Sequence, residues 1–409
     1  TKPPVAKLAD TISAYFVPIV MILSILTGLT WFLLGFPASV ILVTTMAVLV
    51  IACPCALGLA VPISVMVGMG KAAEYGVLIR NGEALQNASQ IKLMILDKTG
   101  TITKGQPEVV EIYSHLKLAT DEVLIQYAAS LEKNSEHPLA QAILSYAQKQ
   151  AIEPQYIEQF EAIPGHGVLG TLKGETIFLG NFKMMEKFQL DYQGLTDKAL
   201  EFARLGYTPI FVGKDQKAIG IIAVSDPIKI DSLSAINQLK KLGIDVVMVT
   251  GDHLQTALTI AKQAGIEKVF AETLPNEKAK LVKNFQKEGY IVGMVGDGIN
   301  DAPALAQADV GFAIGAGTDV AIESADVTLI QNSLASIVDA IIISKATLKN
   351  IKQNLGGAFI YNFLGIPIAA GILYPFTGLL LNPMLAGAAM ALSSLTVVSN
   401  ANRLRFFKV

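Results

Sequence analysis

A short run, Asp97-Lys98-Thr99-Gly100-Thr101, follows directly on the β-rich apolar stretch 92–96. A carboxylate at the carboxyl end of a buried strand can act as a nucleophile on a terminal phosphate, giving an aspartyl-phosphate. A phosphoryl group in transfer spreads negative charge over three oxygens, so it needs a metal ion, a lysine and hydrogen-bond donors around it. The chain offers each of these. Asp297 and Asp301, in Gly296-Asp297-Gly298-Ile299-Asn300-Asp301, lie at a strand-to-helix turn suited to Mg²⁺. Lys278, in Leu274-Pro275-Asn276-Glu277-Lys278, can neutralise phosphate, and Thr250, in Thr250-Gly251-Asp252, can donate a hydrogen bond. Each motif alone is ordinary turn chemistry. The whole set, mostly on strand ends, points to phosphoryl transfer.

A second reactive group is Cys53-Pro54-Cys55, which holds both cysteines of the chain and falls inside a long apolar stretch. Proline removes a backbone hydrogen bond and opens the helix, and polar groups exposed at that depth must serve a cavity. Two thiols flanking the break make a soft-metal site. A disulfide between positions i and i+2 is expected to be strained, and the absence of cysteine elsewhere fits a reducing compartment, so free thiols are expected.

These groups need two kinds of scaffold. The chain has 409 residues, 32 Lys+Arg against 34 Asp+Glu, and a mean hydropathy of +0.48. That balance excludes a basic nucleic-acid binder and an acidic disordered tail as the main theme. Residues 11–70 and 353–402 contain no Asp, Glu, Lys, Arg or His, and the other 299 residues carry every charge, at roughly the density of a soluble protein. A membrane helix takes about 20 apolar residues. Four spans are therefore predicted, near 12–34, 38–69, 355–374 and 379–400. Lys2, Lys7, Lys71, Arg80, Lys345, Lys349, Lys352, Arg403, Arg405 and Lys408 flank one side, which predicts cytoplasmic termini and a cytoplasmic insert.

The insert alternates strand-like runs with helical patterns. Runs at 92–96, 218–224, 245–249 and 290–295 each end at a polar residue, and helical patterns follow the last three. This predicts a doubly wound parallel sheet whose ligands bind beyond the carboxyl ends of its strands. Residues 113–217 break the alternation and are expected to form an inserted α+β domain. The expected division is 1–72 (two membrane helices), 73–112 and 218–344 (phosphorylation domain), 113–217 (nucleotide-binding domain) and 345–409 (two membrane helices).

The motifs DKTGT, TGD and GDGIND, taken with Cys-Pro-Cys, resemble the signature set of the heavy-metal P-type ATPases, and the resemblance runs over the whole chain. It implies a multi-domain membrane protein: a four-span helical bundle with an α/β haloacid dehalogenase-like phosphorylation domain and an inserted nucleotide-binding domain. It implies that Asp97 is transiently phosphorylated, that Asp97, Thr99, Asp297 and Asp301 surround Mg²⁺, and that Lys98, Thr99, Thr250, Gly251, Asp252 and Lys278 complete the catalytic set. Soluble phosphatases of this fold commonly carry an aspartate two residues after the nucleophile. Thr99 stands there instead, so the phosphoenzyme is expected to be long-lived. Glu132, Ser135-Glu136-His137-Pro138, Gly165-His166-Gly167-Val168 and Gly180-Asn181 resemble the ATP site of that branch. Glu132 and His137 would address the adenine, and Gly165, Gly167 and Gly180, beside Asn181, would let backbone approach the nucleotide.

The late apolar block offers no carboxylate or lysine for a divalent ion. It offers Tyr361-Asn362 and the run containing Met390, Ser393 and Ser394. Neutral ligands suit a monovalent ion, since two thiolates with Cu⁺ or Ag⁺ leave one net negative charge in hydrocarbon. These residues also resemble the ion path of the copper(I) subgroup. ATP-driven copper(I) export from the cell (inner) membrane is therefore the expected function, with a copper chaperone as the metal's supplier. Three rivals are an exporter of Zn²⁺, Cd²⁺ or Pb²⁺, a membrane-tethered phosphatase, and a non-catalytic metal-binding module. The family's actuator domain carries a Thr-Gly-Glu loop, which this sequence lacks; Gly174-Glu175 belongs to the insert. The chain is thus expected to be the C-terminal portion of a longer pump.

Overall fold

The computed structural model describes every residue except 1–2, 116–118, 136–137, 297–300 and 316–318. The chain divides into two units, Thr1–Gln90 with Asp339–Val409, and Ile91–Val338.

The first unit is helical. Its long helices are Pro4–Leu33, Ala38–Ile51, Cys55–Glu74, most of Ala335–Ala369, and Pro383–Asn402. Gly35, at φ +74°, and Pro37 turn the chain between the first two. Pro54 separates the next two, because its ring nitrogen has no proton to continue the ladder. Small residues let the helices approach: Ala56, Leu57 and Ala60 meet Ala358 and Val397, while Ala47, Val48 and Ile51 meet Ala369 and Ala386. A buried polar cluster ties three helices together. Ser64 Oγ donates to Asn350 Oδ1 (2.9 Å), Asn354 Nδ2 to Ser64 Oγ (2.9 Å) and Asn400 Nδ2 to Asn354 Oδ1 (2.8 Å).

Among the described residues, three helices are long and apolar enough to cross a membrane: Pro4–Leu33, Ala38–Glu74 taken through its break, and Pro383–Phe406. The sequence predicted four. The missing one is the second half of Ala335–Ala369, where Asn354, Tyr361, Asn362 and several glycines dilute the apolar character, and where Lys345, Lys349 and Lys352 share the helix.

In the second unit the parallel strands run in the order Val327–Leu329, Val310–Ile314, Val292–Gly296, Leu93–Asp97, Asp245–Val249, Lys268–Phe270. Leu93–Asp97 is central and wholly buried, pairing in parallel with Val292–Gly296 on one side and Asp245–Val249 on the other. The chain winds first to one side of it and then returns to the other. The topological switch point therefore lies between Asp97 and Gly296, where doubly wound sheets bind ligands.

The remaining strands form an antiparallel sheet in the order Glu108–Ser114, Lys217–Ser225, Thr208–Lys214, Glu175–Gly180, Gly167–Leu172, Glu158–Ile163. This corrects one expectation. The run 218–224 is not a strand of the parallel sheet; it pairs antiparallel with Thr208–Lys214 through a turn at Asp215, φ +55°. Helices cover both faces of this sheet, so the strand is apolar throughout and mimics a parallel-sheet strand in composition.

Candidate functional site

The parallel sheet brings Asp97, Lys278 and Asp301 to one point. Lys278, on the helix Pro275–Lys287, places Nζ 2.6 Å from Asp97 Oδ1 and 2.6 Å from Asp301 Oδ1, and all three residues are at most 8% exposed. Burial works against the Lys278 charge, but the two carboxylates outweigh it and push its pKa up, so the ammonium persists across the physiological range. Gly296 makes room for this arrangement: a Cβ there would stand 2.5 Å from the Asp301 carboxylate.

The loop after Val249 supplies the second wall. Thr250 is buried, and its Oγ1 accepts from the Asp252 amide at 3.1 Å. Lys98 Nζ reaches Asp252 Oδ2 at 2.6 Å. Burial opposes the Lys98 charge, yet the Asp252 carboxylate more than compensates and its pKa rises. Lys98 and Asp252 thereby tie the loop after Asp97 to that after Val249. Thr99 is half-buried and in extended geometry, whereas Gly251 is exposed. Asp297 lies outside the described residues. The donor set of Asp97 and Asp301 is hard oxygen held around a cation, which fits Mg²⁺. Among the described residues no larger acidic or histidine cluster competes for it.

The antiparallel sheet gathers the second set. Gly167 pairs with Gly180, and neither has space for a side chain; at Gly167 (φ +151°) a Cβ would enter the Leu179 carbonyl. Asn181 Nδ2 donates to Gly165 O at 3.0 Å, and its Oδ1 accepts from Met184 N at 3.2 Å. Asn181 therefore shapes the glycine patch from behind. Glu132 ends its helix almost fully buried, and its Oε2 has no hydrogen-bond partner among the described residues. Burial raises its pKa, against a smaller lowering by the Ser135 hydrogen bond. His137 lies outside the described residues.

Three contacts were not legible in the sequence. Lys183 Nζ donates to Glu272 O at 2.7 Å, the rings of Phe182 and His253 lie 4.7 Å apart, and Leu274 faces Gly165. They set the glycine patch against the loop between Thr250 and Lys278. No local motif announces them, because each joins residues about 70 or more positions apart.

In the helical unit, Asn362 and Ser393 are buried with Oδ1 and Oγ unpaired among the described residues, and Met390 is buried nearby in sequence. Ser64 sits level with Asn350, Asn354 and Asn400, while Ala56 and Ala60 sit level with Ala358 and Val397. Continuing one helical turn further puts Asn362 and Ser393 toward the Cys55 end. Tyr361 is 42% exposed, so its ring leaves this interior, and Ser394 is half-buried. One expectation is corrected here: the Cys53 and Cys55 sulfurs are joined in a disulfide rather than free. The break at Pro54 sets the two Cα atoms 5.5 Å apart, so the sulfurs converge on one point.

Glu132 yields a pH-dependent expectation. Its folded pKa is raised, so the folded state keeps a proton that the unfolded chain has released. Stability must then fall as pH rises through the ordinary glutamate range toward the raised value. Glu132→Gln should remove that slope and stabilise the nucleotide-free chain by about 1 kcal/mol at neutral pH. Thermal melts from about pH 4 to 8 check this; a gap between variant and parent that does not close on the acid side would contradict it.

Residues 91–309 match the haloacid dehalogenase-like hydrolase family. A copper-exporting P-type ATPase of Vibrio cholerae is 50% identical over 100% of this chain and 45% of its own length. A probable copper-transporting ATPase, PacS, of Synechococcus elongatus is 49% identical over 100% of this chain and 55% of its own. The chain thus spans about half the length of the curated relatives it matches. Among solved structures, a zinc-transporting PIB-type ATPase in the E2.Pi state superposes with a TM-score of 0.73 at 32% identity, covering 97% of this chain and 63% of that one. The catalytic domain of the CPx-ATPase CopB-B gives 0.56 at 27% identity, covering 68% of this chain and 98% of that one.

Proposed function

Since this chain belongs to the haloacid dehalogenase-like hydrolases and, within them, to the heavy-metal P-type ATPases, we propose that it serves ATP-driven export of copper(I). Asp97 attacks the γ-phosphorus of ATP. The new bond joins its carboxylate oxygen to phosphorus, the bond to the β-γ bridging oxygen breaks, and ADP departs with that oxygen. The observation that carries this reading is the Lys278 ammonium, held 2.6 Å from both Asp97 and Asp301. It neutralises charge on the transferred group as that charge develops. Asp97, Thr99, Asp297 and Asp301 would hold Mg²⁺, which would supply further neutralisation of the phosphoryl charge. Thr250, Gly251 and Asp252 line the phosphate, and Lys98 holds Asp252 in place. Thr99 brings no carboxylate to activate water, which favours a persistent phosphoenzyme.

Glu132 and His137 address the adenine, with the Gly165, Gly167 and Gly180 backbone beside them and Asn181 in support. The proposed domain limits are 1–72, 73–112, 113–217, 218–344 and 345–409, with the strands Glu108–Ser114 and Lys217–Ser225 joining the nucleotide-binding part. Copper(I) is the cargo, held by Cys53 and Cys55 once reduced, with Asn362, Met390, Ser393, Ser394 and Tyr361 along its path. Placement in the cell (inner) membrane with a cytoplasmic insert rests on the lysine and arginine bias, and a copper chaperone is the proposed supplier.

The reading is tested by incubating the chain with γ-labelled ATP and Mg²⁺, with Cu⁺ or Zn²⁺ under reducing conditions. Acid-stable label on Asp97 that depends on Cu⁺ is expected. Equal or greater stimulation by Zn²⁺ would replace copper with a divalent cargo, and rapid release of phosphate from a small phosphomonoester would favour a phosphatase.

A further inference from the structure

We propose that Lys229 is a positioning residue of the phosphorylation loop, its buried ammonium clamping the Gly100 carbonyl and so orienting the Asp97–Thr101 backbone for phosphoryl transfer. This rests on the reading of Asp97 as the phosphorylated residue.

Lys229 is 7% exposed, and its Nζ lies 2.6 Å from Gly100 O and 2.5 Å from Asn332 Oδ1. Gly100 is in the left-handed region at φ +70°, which is the freedom the loop needs where it turns away from the strand. The peptide joining Gly100 to Thr101 is planar and trans, so its carbonyl and its N–H point in opposite directions. Clamping the oxygen fixes the direction of the following N–H. It also holds a partial negative charge on the ammonium, where it cannot swing toward an incoming phosphoryl group. Thr101, at the other end of that peptide, is fully buried with a hydroxyl that has no hydrogen-bond partner among the described residues.

The clamp ties separate parts of the sheet. Asn332 follows the Val327–Leu329 strand and packs against Gly315, where a Cβ would stand 3.3 Å from its side chain. Lys229 itself lies where the chain returns from the antiparallel sheet. Its backbone is held independently of the ammonium: Lys229 N donates to Ile102 O at 3.0 Å and Lys104 N to Pro227 O at 2.9 Å. Ser232 Oγ donates to Ile102 O at 2.7 Å, while Asp226 accepts from Thr103 Oγ1 at 2.6 Å and from Gly105 N at 3.0 Å. Removing the charge should therefore release the Gly100 carbonyl while leaving this crossover intact.

The test uses the whole chain in detergent, as parent, Lys229→Met, Lys229→Arg, Asn332→Ala and Asp97→Asn. With Mg²⁺ and Cu⁺ present under reducing conditions, the rate of acid-stable labelling from γ-labelled ATP is followed by rapid quench across ATP concentrations, with a thermal melt of each protein. Lys229→Met should slow the maximal labelling rate about tenfold or more, since small misplacement of reacting groups costs rate steeply. The half-saturating ATP concentration should stay within about twofold, because the contact acts on the loop and not on nucleotide binding. Lys229→Arg should recover most of the rate, and Asn332→Ala should slow it a few-fold. Lys229→Met at the parental maximal rate overturns the proposal. So does a loss matched by an equal fall in ATP affinity or melting temperature. Should Lys229→Met fail to fold, a parental labelling rate in Asn332→Ala overturns it equally. Absence of label on the parent, or label surviving Asp97→Asn, instead overturns the Asp97 reading and the clamp with it.

Discussion

Asp97→Asn is expected to abolish acid-stable labelling from ATP and to lower ATP hydrolysis at least about 10³-fold, because losing a nucleophile removes the covalent route altogether. The change is nearly isosteric. Lys278 keeps its contact with Asp301, so the fold and the affinity for nucleotide should survive. Rapid-quench labelling and equilibrium ATP binding on the same preparation check both halves. ATP consumption that persists in the variant would show that another group carries the chemistry.

Exchange of both cysteines, Cys53→Ser with Cys55→Ser, should remove copper(I) binding and cut copper-stimulated labelling at least about 100-fold, because a hydroxyl is a poor ligand for a soft monovalent ion. ATP binding should not change. The structure adds a condition: with the two sulfurs joined, no thiolate is free to bind the metal. The parent chain should therefore bind Cu⁺ only after a thiol or phosphine reductant supplies two electrons, two protons completing the two thiols. Chelator-competition titrations with and without reductant check this. Copper binding by the oxidised chain, or by the double serine variant, would remove the cysteine pair from the cargo path.

Most of the candidate catalytic groups were legible because they sit in short motifs at the ends of strands, which announce themselves as apolar runs; Lys278 lies instead on the helix Pro275–Lys287. Asp97, Thr250 and Gly296 all occur where the sequence placed a strand end. Glu132 and Asn181 were named by resemblance alone; nothing in the local pattern of Glu132 says that its carboxylate is buried with an oxygen unpaired among the described residues. Lys229 was missed because a lysine beside an aspartate in a turn reads as solvated surface. Its burial depends on Gly100 and Asn332, each more than 100 positions away. The run 218–224 was misplaced because composition reports burial on both faces and cannot report which neighbour a strand pairs with.

Charge distribution along the chain set apart two apolar blocks from a charged insert, and the phosphate-handling motifs pointed to the chemistry, since both depend on residue type and on near neighbours in sequence. Partnership across long separations lay beyond that reading. The convergence of Lys278 on two carboxylates, the Lys229 clamp, the polar cluster of Ser64 with three asparagines, and the joined sulfurs all come from packing. Each exists because the folded chain leaves a buried polar atom in need of a partner, and which partner it meets depends on how the elements stack.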